Sequence, residues 1–130
     1  MRKKKRKGRI ALIAALAVLA LLVAGALLLT SGLAEGAKAQ LNGVDLQNKP
    51  DGEYIGAYNF GRWTNTLAVQ VKDHRITGID IRRDVMARIP NCSDEIFRRV
   101  IEAQDTKVDA VSGATVTSKA YLKAIENALS

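Results

Sequence analysis

Twenty-five consecutive residues, 10–34, carry no charge, and seven of the twenty Lys/Arg in this 130-residue chain stand immediately before them, between Arg2 and Arg9. No other feature restricts the fold as much. As a helix the run extends about 37 Å at ~1.5 Å per residue, enough to cross a ~30 Å hydrocarbon core with some tilt. The basic segment 1–9 then stays in the cytoplasm by the positive-inside rule, which predicts an extracytoplasmic position for everything that follows. A cleaved secretory signal shares the basic flank, and Ala37-Lys38-Ala39 is a passable small-x-small site. The apolar run is much longer than the ~7–15 residues of a signal core, which favours an uncleaved transmembrane anchor at 10–34.

The thirteen remaining Lys/Arg equal the thirteen Asp/Glu, so the net charge of +7 belongs wholly to the N-terminus. Nucleic-acid binding requires a basic face on a folded domain, and the domain here is formally neutral, so nucleic acid is discounted as a partner. The single cysteine, Cys92, excludes an intrachain disulfide, a Cys-x-x-Cys redox pair and a cysteine-built iron–sulfur cluster within the chain. Redox chemistry would therefore need an organic cofactor. Cys92, just after Ile89, Pro90 and Asn91, reads as a buried or half-buried structural thiol.

Residues 35–50, with Gly36, Gly43 and Pro50, read as a polar linker that holds a domain off the membrane. Residues 51–130 remain for one small domain, near the lower limit for a self-sufficient core. Strand signals come first. Tyr54, Ile55 and Tyr58 follow an Asp51-Gly52 turn, Leu67, Val69 and Val71 alternate with polar or small residues, and Ile79 and Ile81 alternate with Asp80 and Arg82. Asp73, His74 and Arg75 form a tight hairpin connection, which puts His74, the one histidine, in an exposed turn. Ser93 is a candidate N-cap for a helix with Ile96, Phe97, Val100 and Ile101 on one stripe. A final helix capped near Thr117 or Ser118 carries Tyr121, Leu122, Ile125, Ala128 and Leu129. The prediction is an α+β fold: a small antiparallel sheet packed against two helices, preceded by one N-terminal transmembrane helix.

Between the two helices lies a run of small and hydroxyl-bearing residues, 109–118. Ser112, Thr115, Thr117 and Ser118 offer hydroxyls, Gly113 and Ala114 leave the backbone uncovered, and the free N–H groups of the following helix present a positive end to an anion. The pattern fits a phosphate site. From pattern alone such runs are more often a plain N-cap and turn, with Asp109 as an ordinary turn-starting aspartate.

Residues 106–120, Thr-Lys-Val-Asp-Ala-Val-Ser-Gly-Ala-Thr-Val-Thr-Ser-Lys-Ala, closely resemble the signature of the FMN-binding domain family. That family includes the flavin-carrying C subunit of sodium-translocating NADH:quinone reductase and the G subunit of the Rnf complex. Val-Ile-Glu-Ala-Gln at 100–104 and Asp-Gly-Glu-Tyr-Ile-Gly at 51–56 extend the resemblance over about 51–130. It implies FMN as cofactor, attached by a flavin transferase through its phosphate to the threonine of a Ser/Thr-Gly-Ala-Thr motif. The matching residue here is Thr115, with Thr117 as the nearby alternative acceptor. Ser112, Gly113 and Ala114 complete the motif, and Asp109 belongs to its recognition pattern.

Two further groups have side chains suited to a flavin. Tyr58, Phe60 and Trp63 form an aromatic cluster in a glycine-containing loop, able either to stack on an isoalloxazine or to fill the core of an aromatic-poor domain. Arg82, Arg83, Arg88, Arg98 and Arg99 can pair with anionic groups, but most read as solvated surface charges. The resulting expectation is a membrane-anchored, extracytoplasmic flavoprotein that relays electrons between a membrane donor and an extracytoplasmic acceptor. The alternative is a non-redox surface module with reversible or no flavin binding. A reductase with its own substrate is the weakest reading, because no Gly-rich nucleotide loop for a nicotinamide cofactor accompanies the motif.

Overall fold

The computed structural model describes residues 2–130, in two compact units that meet at Gly32 and Leu33. The first is helix α1, Arg2–Thr30, 29 residues long. Among the described residues it is the one helix long and apolar enough to cross a membrane. Leu12, Ile13, Leu21 and Leu28 are each more than half exposed. The helical run was expected to continue to residue 34 and stops earlier. Thr30 and Ser31 turn their hydroxyls back onto the carbonyls of Ala26 and Leu28 at 2.9 and 2.8 Å. Gly32 then takes φ = +85°, which ends the helix in the usual glycine manner.

The second unit, Leu33–Ser130, holds a three-stranded antiparallel sheet in sequence order. Its strands are β1 (Gly52–Tyr58), β2 (Asn65–Lys72) and β3 (Arg75–Arg83), and a single turn of 3-10 helix, Gly61–Trp63, lies in the β1–β2 connection. Asp73 and His74 have φ of 51° and 63°, the left-handed pair required by a two-residue hairpin turn of type I′. His74 is exposed, as expected, but its Nδ1 also lies 3.1 Å from the Leu46 carbonyl. The pairing runs from Gly52↔Val71 to Tyr58↔Asn65 in the first hairpin, and two bulges interrupt the second.

One face of the sheet is core: Leu67, Val69, Val71 and Ile76 are buried against helices α3 (Cys92–Ala103) and α4 (Thr115–Leu129). The opposite face carries a polar net. The Gln70 amide donates to Glu53 at 3.2 Å and Asp80 at 3.0 Å, while Arg82 pairs with Glu53 at 2.9 Å. Such a face needs no second layer. The N-cap of helix α3 is Asn91, in the left-handed region, two residues before the expected Ser93.

β1 lies so close to α4 that a Cβ on Gly56 would sit 2.2 Å from the Ala124 carbonyl oxygen and 2.3 Å from the Ala128 nitrogen. Only glycine permits that approach. Phe97 meets Tyr121 edge to face at 5.7 Å, joining α3 to α4, and the Tyr121 hydroxyl donates to Asp84 at 2.5 Å.

The segment 35–50, expected as a free linker, is instead part of this unit. A short helix α2, Leu33–Ala37, is followed by chain whose Leu41, Val44 and Leu46 pack on the core. The amides of Asn42 and Gly43 both donate to the Glu126 carboxylate, at 2.5 and 2.9 Å, and Val44 donates to Asp105 at 3.2 Å. Lys119 and Lys123 donate to the carbonyls of Ala37 and Gln40. One buried and one half-buried carboxylate, Glu126 and Asp105, thus take the place of a neighbouring strand, which is why a polar composition did not betray the packing. With this segment on one side and the sheet on the other, α4 is the central helix of the domain rather than a surface helix.

Candidate flavin site

The hydroxyl-bearing run is a braced loop. Helix α3 ends at Gln104, whose side-chain amide clips both backbone groups of Ile76 in β3. Oε1 accepts from the Ile76 nitrogen at 2.6 Å, and Nε2 donates to its carbonyl at 3.0 Å. Buried Thr106 donates to Glu126 at 3.0 Å. Asp105 Oδ1 accepts from the Thr106 amide at 2.7 Å, and Arg99 donates to the Asp109 carbonyl at 2.8 Å. Further on, the Val111 amide donates to Ser118 Oγ at 3.0 Å, and the Ala114 amide donates to the Val111 carbonyl at 2.9 Å. Gly113 has φ = +78°, where glycine is the favoured residue.

α4 starts at Thr115, and its N-cap, Ala114, lies three or four residues before the expected cap at Thr117 or Ser118. Ser118 does not cap the helix, because its hydroxyl is used to hold Val111. The N-cap position is Ala114, which makes no side-chain cap bond, and the first intrahelical bond runs from the Ser118 amide to the Ala114 carbonyl at 2.8 Å. The amides of Thr115, Val116 and Thr117 are therefore left at the helix start without an intrahelical acceptor. They are donors at the positive end of the helix dipole, suited to an anion.

Thr115 is exposed, as are Ser112 and Gly113, whereas Thr117 is 4% exposed and Ser118 fully buried. Gly113, Ala114, Thr115 and Thr117 line a cavity of about 530 Å³, together with Trp63 and Ile89 from other loops. That volume falls within the ~300–1,000 Å³ of sites that take a cofactor-sized ligand. The expected set does not all converge here. Ser112 and Asp109 line a separate open cleft with Arg99, Glu102 and Lys107. Among the described residues no loop amide donates to the Asp109 carboxylate; Asp105 accepts such bonds instead, from Val44 and Thr106.

The aromatic cluster divides in the same way. Tyr58 stacks on Phe60 at 6.0 Å and Phe60 on Trp63 at 5.6 Å, but of the three only Trp63 lines the cavity. Tyr58 and Phe60 pack against the core behind it. Among the five arginines considered from sequence, Arg98 and Arg99 pair with Glu95 at 2.5 and 2.9 Å, Arg82 pairs with Glu53 and Arg88 with Asp84. The arginine in the cavity is a different one, Arg62, whose guanidinium carbon lies 4.5 Å from the centre of the Trp63 ring. Its sequence signal was its position, directly before the tryptophan in the Gly61–Trp63 turn.

Cys92 is buried, with its Sγ 3.6 Å from Ser118 Oγ, and burial pushes its thiol above the ordinary range. It is a structural thiol behind the loop.

A helix start whose first amides lack intrahelical acceptors, an exposed threonine beside it and a cavity with an aromatic wall make this the candidate site for a phosphorylated planar ligand. The model of the FMN-binding domain matches residues 61–130, and the chain belongs to that family. No curated protein matches the chain. The protein is thus a flavin-binding protein with FMN as its cofactor, and the cavity, hydroxyls and unpaired amides fit that group.

Proposed function

We propose that this protein is a membrane-anchored, extracytoplasmic electron carrier whose FMN is esterified through its phosphate to Thr115 Oγ1. The observation that carries the proposal is the contrast between the two candidate acceptors. Both reach the same cavity, but only Thr115 is exposed to an incoming modifying enzyme. Formation of the ester joins Thr115 Oγ1 to the FMN phosphorus, displaces a nucleotide leaving group from an activated flavin dinucleotide, and releases the hydroxyl proton. A flavin transferase is the partner that supplies this step.

Within the mature protein the amides at the start of α4 hold the phosphate, Gly113 gives the backbone room to approach it, and Trp63 and Ile89 wall the ring from water. FMN, when bound, supplies the reversible uptake of electrons that the side chains themselves lack. The basic flank and apolar length of α1 support a cytoplasmic N-terminus and an extracytoplasmic domain, with a membrane donor and an extracytoplasmic acceptor as partners. Covalent attachment suits that compartment, where a dissociated flavin is lost by dilution.

The test is to co-express the chain with a flavin transferase and to measure flavin fluorescence on a denaturing gel and the intact mass. The expected result is one FMN per chain, less water, on a domain that external protease reaches in intact cells with their outer layers removed. Reversible binding without a mass gain would establish the accessory-module reading instead.

A further inference from the structure

Arg62 is the one charged side chain among the described residues lining the 530 Å³ cavity; the others are apolar or carry hydroxyls. Its guanidinium lies against Trp63, and that indole is only 8% exposed, stacked in turn on Phe60 and, beyond it, Tyr58. The ring ladder is a rigid backing. The Arg62 carbonyl accepts from the Met86 amide at 3.0 Å, which fastens the turn to the loop that brings Ala87 and Ile89 to the same cavity. Arg62 thus sets a positive charge against the aromatic wall of the cavity.

The two ends of the ligand have different electrostatic needs. The phosphate is served by the unpaired amides at the start of α4 and by its bond to Thr115. The ring gains negative charge only on reduction: taking up two electrons and one proton leaves the isoalloxazine with one net negative charge on its pyrimidine side. We propose that Arg62 binds the flavin ring and raises its reduction potential, by placing a fixed positive charge where that negative charge develops. A charge in a cavity with few other polar groups acts strongly on such an equilibrium. The inference rests on the reading that FMN is held at Thr115, and it assigns the ring an electrostatic partner beyond that anchor.

The experiment uses the full chain, loaded with FMN by co-expression with a flavin transferase and purified in detergent. Reduction potentials are measured by dithionite titration with redox dyes on wild type, Arg62→Gln and Arg62→Lys. In Arg62→Gln the ratio of reduced to oxidised flavin at a fixed potential should fall about tenfold, equivalent to ~30 mV for a two-electron couple. Arg62→Lys, which keeps the charge, should lie nearer wild type. Wild type alone gives a second reading, independent of how the variants fold. With this cation beside the ring the reduced flavin should stay anionic at mildly acidic pH, so the potential should track one proton per two electrons there. A loaded Arg62→Gln protein with the wild-type potential overturns the proposal and leaves the Thr115 anchor intact, as does uptake of two protons by wild type at that pH. Failure of wild type to gain covalent flavin overturns the anchor instead.

Discussion

The Val111 amide donates to the Ser118 hydroxyl across 3.0 Å, so the centre of the motif loop is tied to the helix that the loop precedes. Ser118 is fully buried and stands one turn after Thr115. The distance from Thr115, the proposed acceptor, to the loop is therefore fixed within the domain before any cofactor arrives. Ser118→Ala leaves a part-buried amide unpaired, at a cost of about 1–3 kcal/mol. It should slow flavin transfer to Thr115 more than it lowers the melting temperature, as measured by the time course of flavin gain under transferase excess.

Thr115→Ala removes an exposed hydroxyl with no packing role, so stability should change by no more than ~0.5 kcal/mol while covalent flavin disappears. Thr117→Ala removes a buried side chain from the same cavity. It should cost about 1 kcal/mol and keep the flavin. Fluorescence on denaturing gels, paired with thermal melts, separates the two outcomes; persistence of flavin in Thr115→Ala and its loss in Thr117→Ala would reverse the assignment.

Gly56→Ala drives a methyl into the Ala124 carbonyl and the Ala128 nitrogen, both backbone atoms of the central helix. Neither can yield without moving α4 or β1. A loss of about 3 kcal/mol or more is expected in urea unfolding, at the upper end of overpacking effects.

Glu126→Ala removes the acceptor for Asn42, Gly43 and Thr106 together. Loss of about 3 kcal/mol is expected, since one buried and two part-buried donors are orphaned at once. Hydrogen exchange should accelerate first at 38–46, with β2 still protected; uniform acceleration through the domain would show that this segment is not a separately held strap.

The carboxyls of Glu53 and Glu95 are held below the usual range, Glu53 first by the Gln70 amide and then by Arg82, Glu95 by Arg98 and Arg99. Depressed carboxyls give stability that is present above the unfolded-state value, about 4.3, and lost as pH falls. Both glutamates are solvent-accessible, so this limb is shallow. Burial first, and then Asp84, raises the Tyr121 phenol, and burial raises the Cys92 thiol. Raised acids keep their protons longer in the folded state, so stability falls once pH passes the unfolded thiol value of about 8.5. Melting temperature should therefore plateau between about pH 5 and 8. Cys92→Ala should delay the alkaline decline without abolishing it.

Much of the domain could be read from residue order. Leu67, Val69 and Val71 gave β2 by strict alternation, and Asp73 with His74 gave the turn, because both signals are local. The motif residues from Ser112 to Thr115 were equally visible, since hydroxyls, glycine and a helix start are adjacent in the chain. What escaped depended on contacts distant in sequence. The packing of 35–50 rests on Glu126, more than eighty residues away, and the early start of α4 follows from Ser118 turning to Val111. Arg62 was hidden for a related reason: its role needs the Trp63 ring, the Met86 loop and the α4 start in one place, and no periodicity encodes that meeting.

The bare alanine at the head of α4 has a bearing on the protein's lifetime. Ala114 forgoes the ~1 kcal/mol that a Ser or Asp cap contributes, and under the proposed esterification a phosphate at the next residue would supply the missing negative partner. Maturation would then double as reinforcement, because chains that had received flavin would open less often than those still waiting for it. Surface proteases, which cut what opens, would clear the unfinished molecules first and leave a population enriched in working ones.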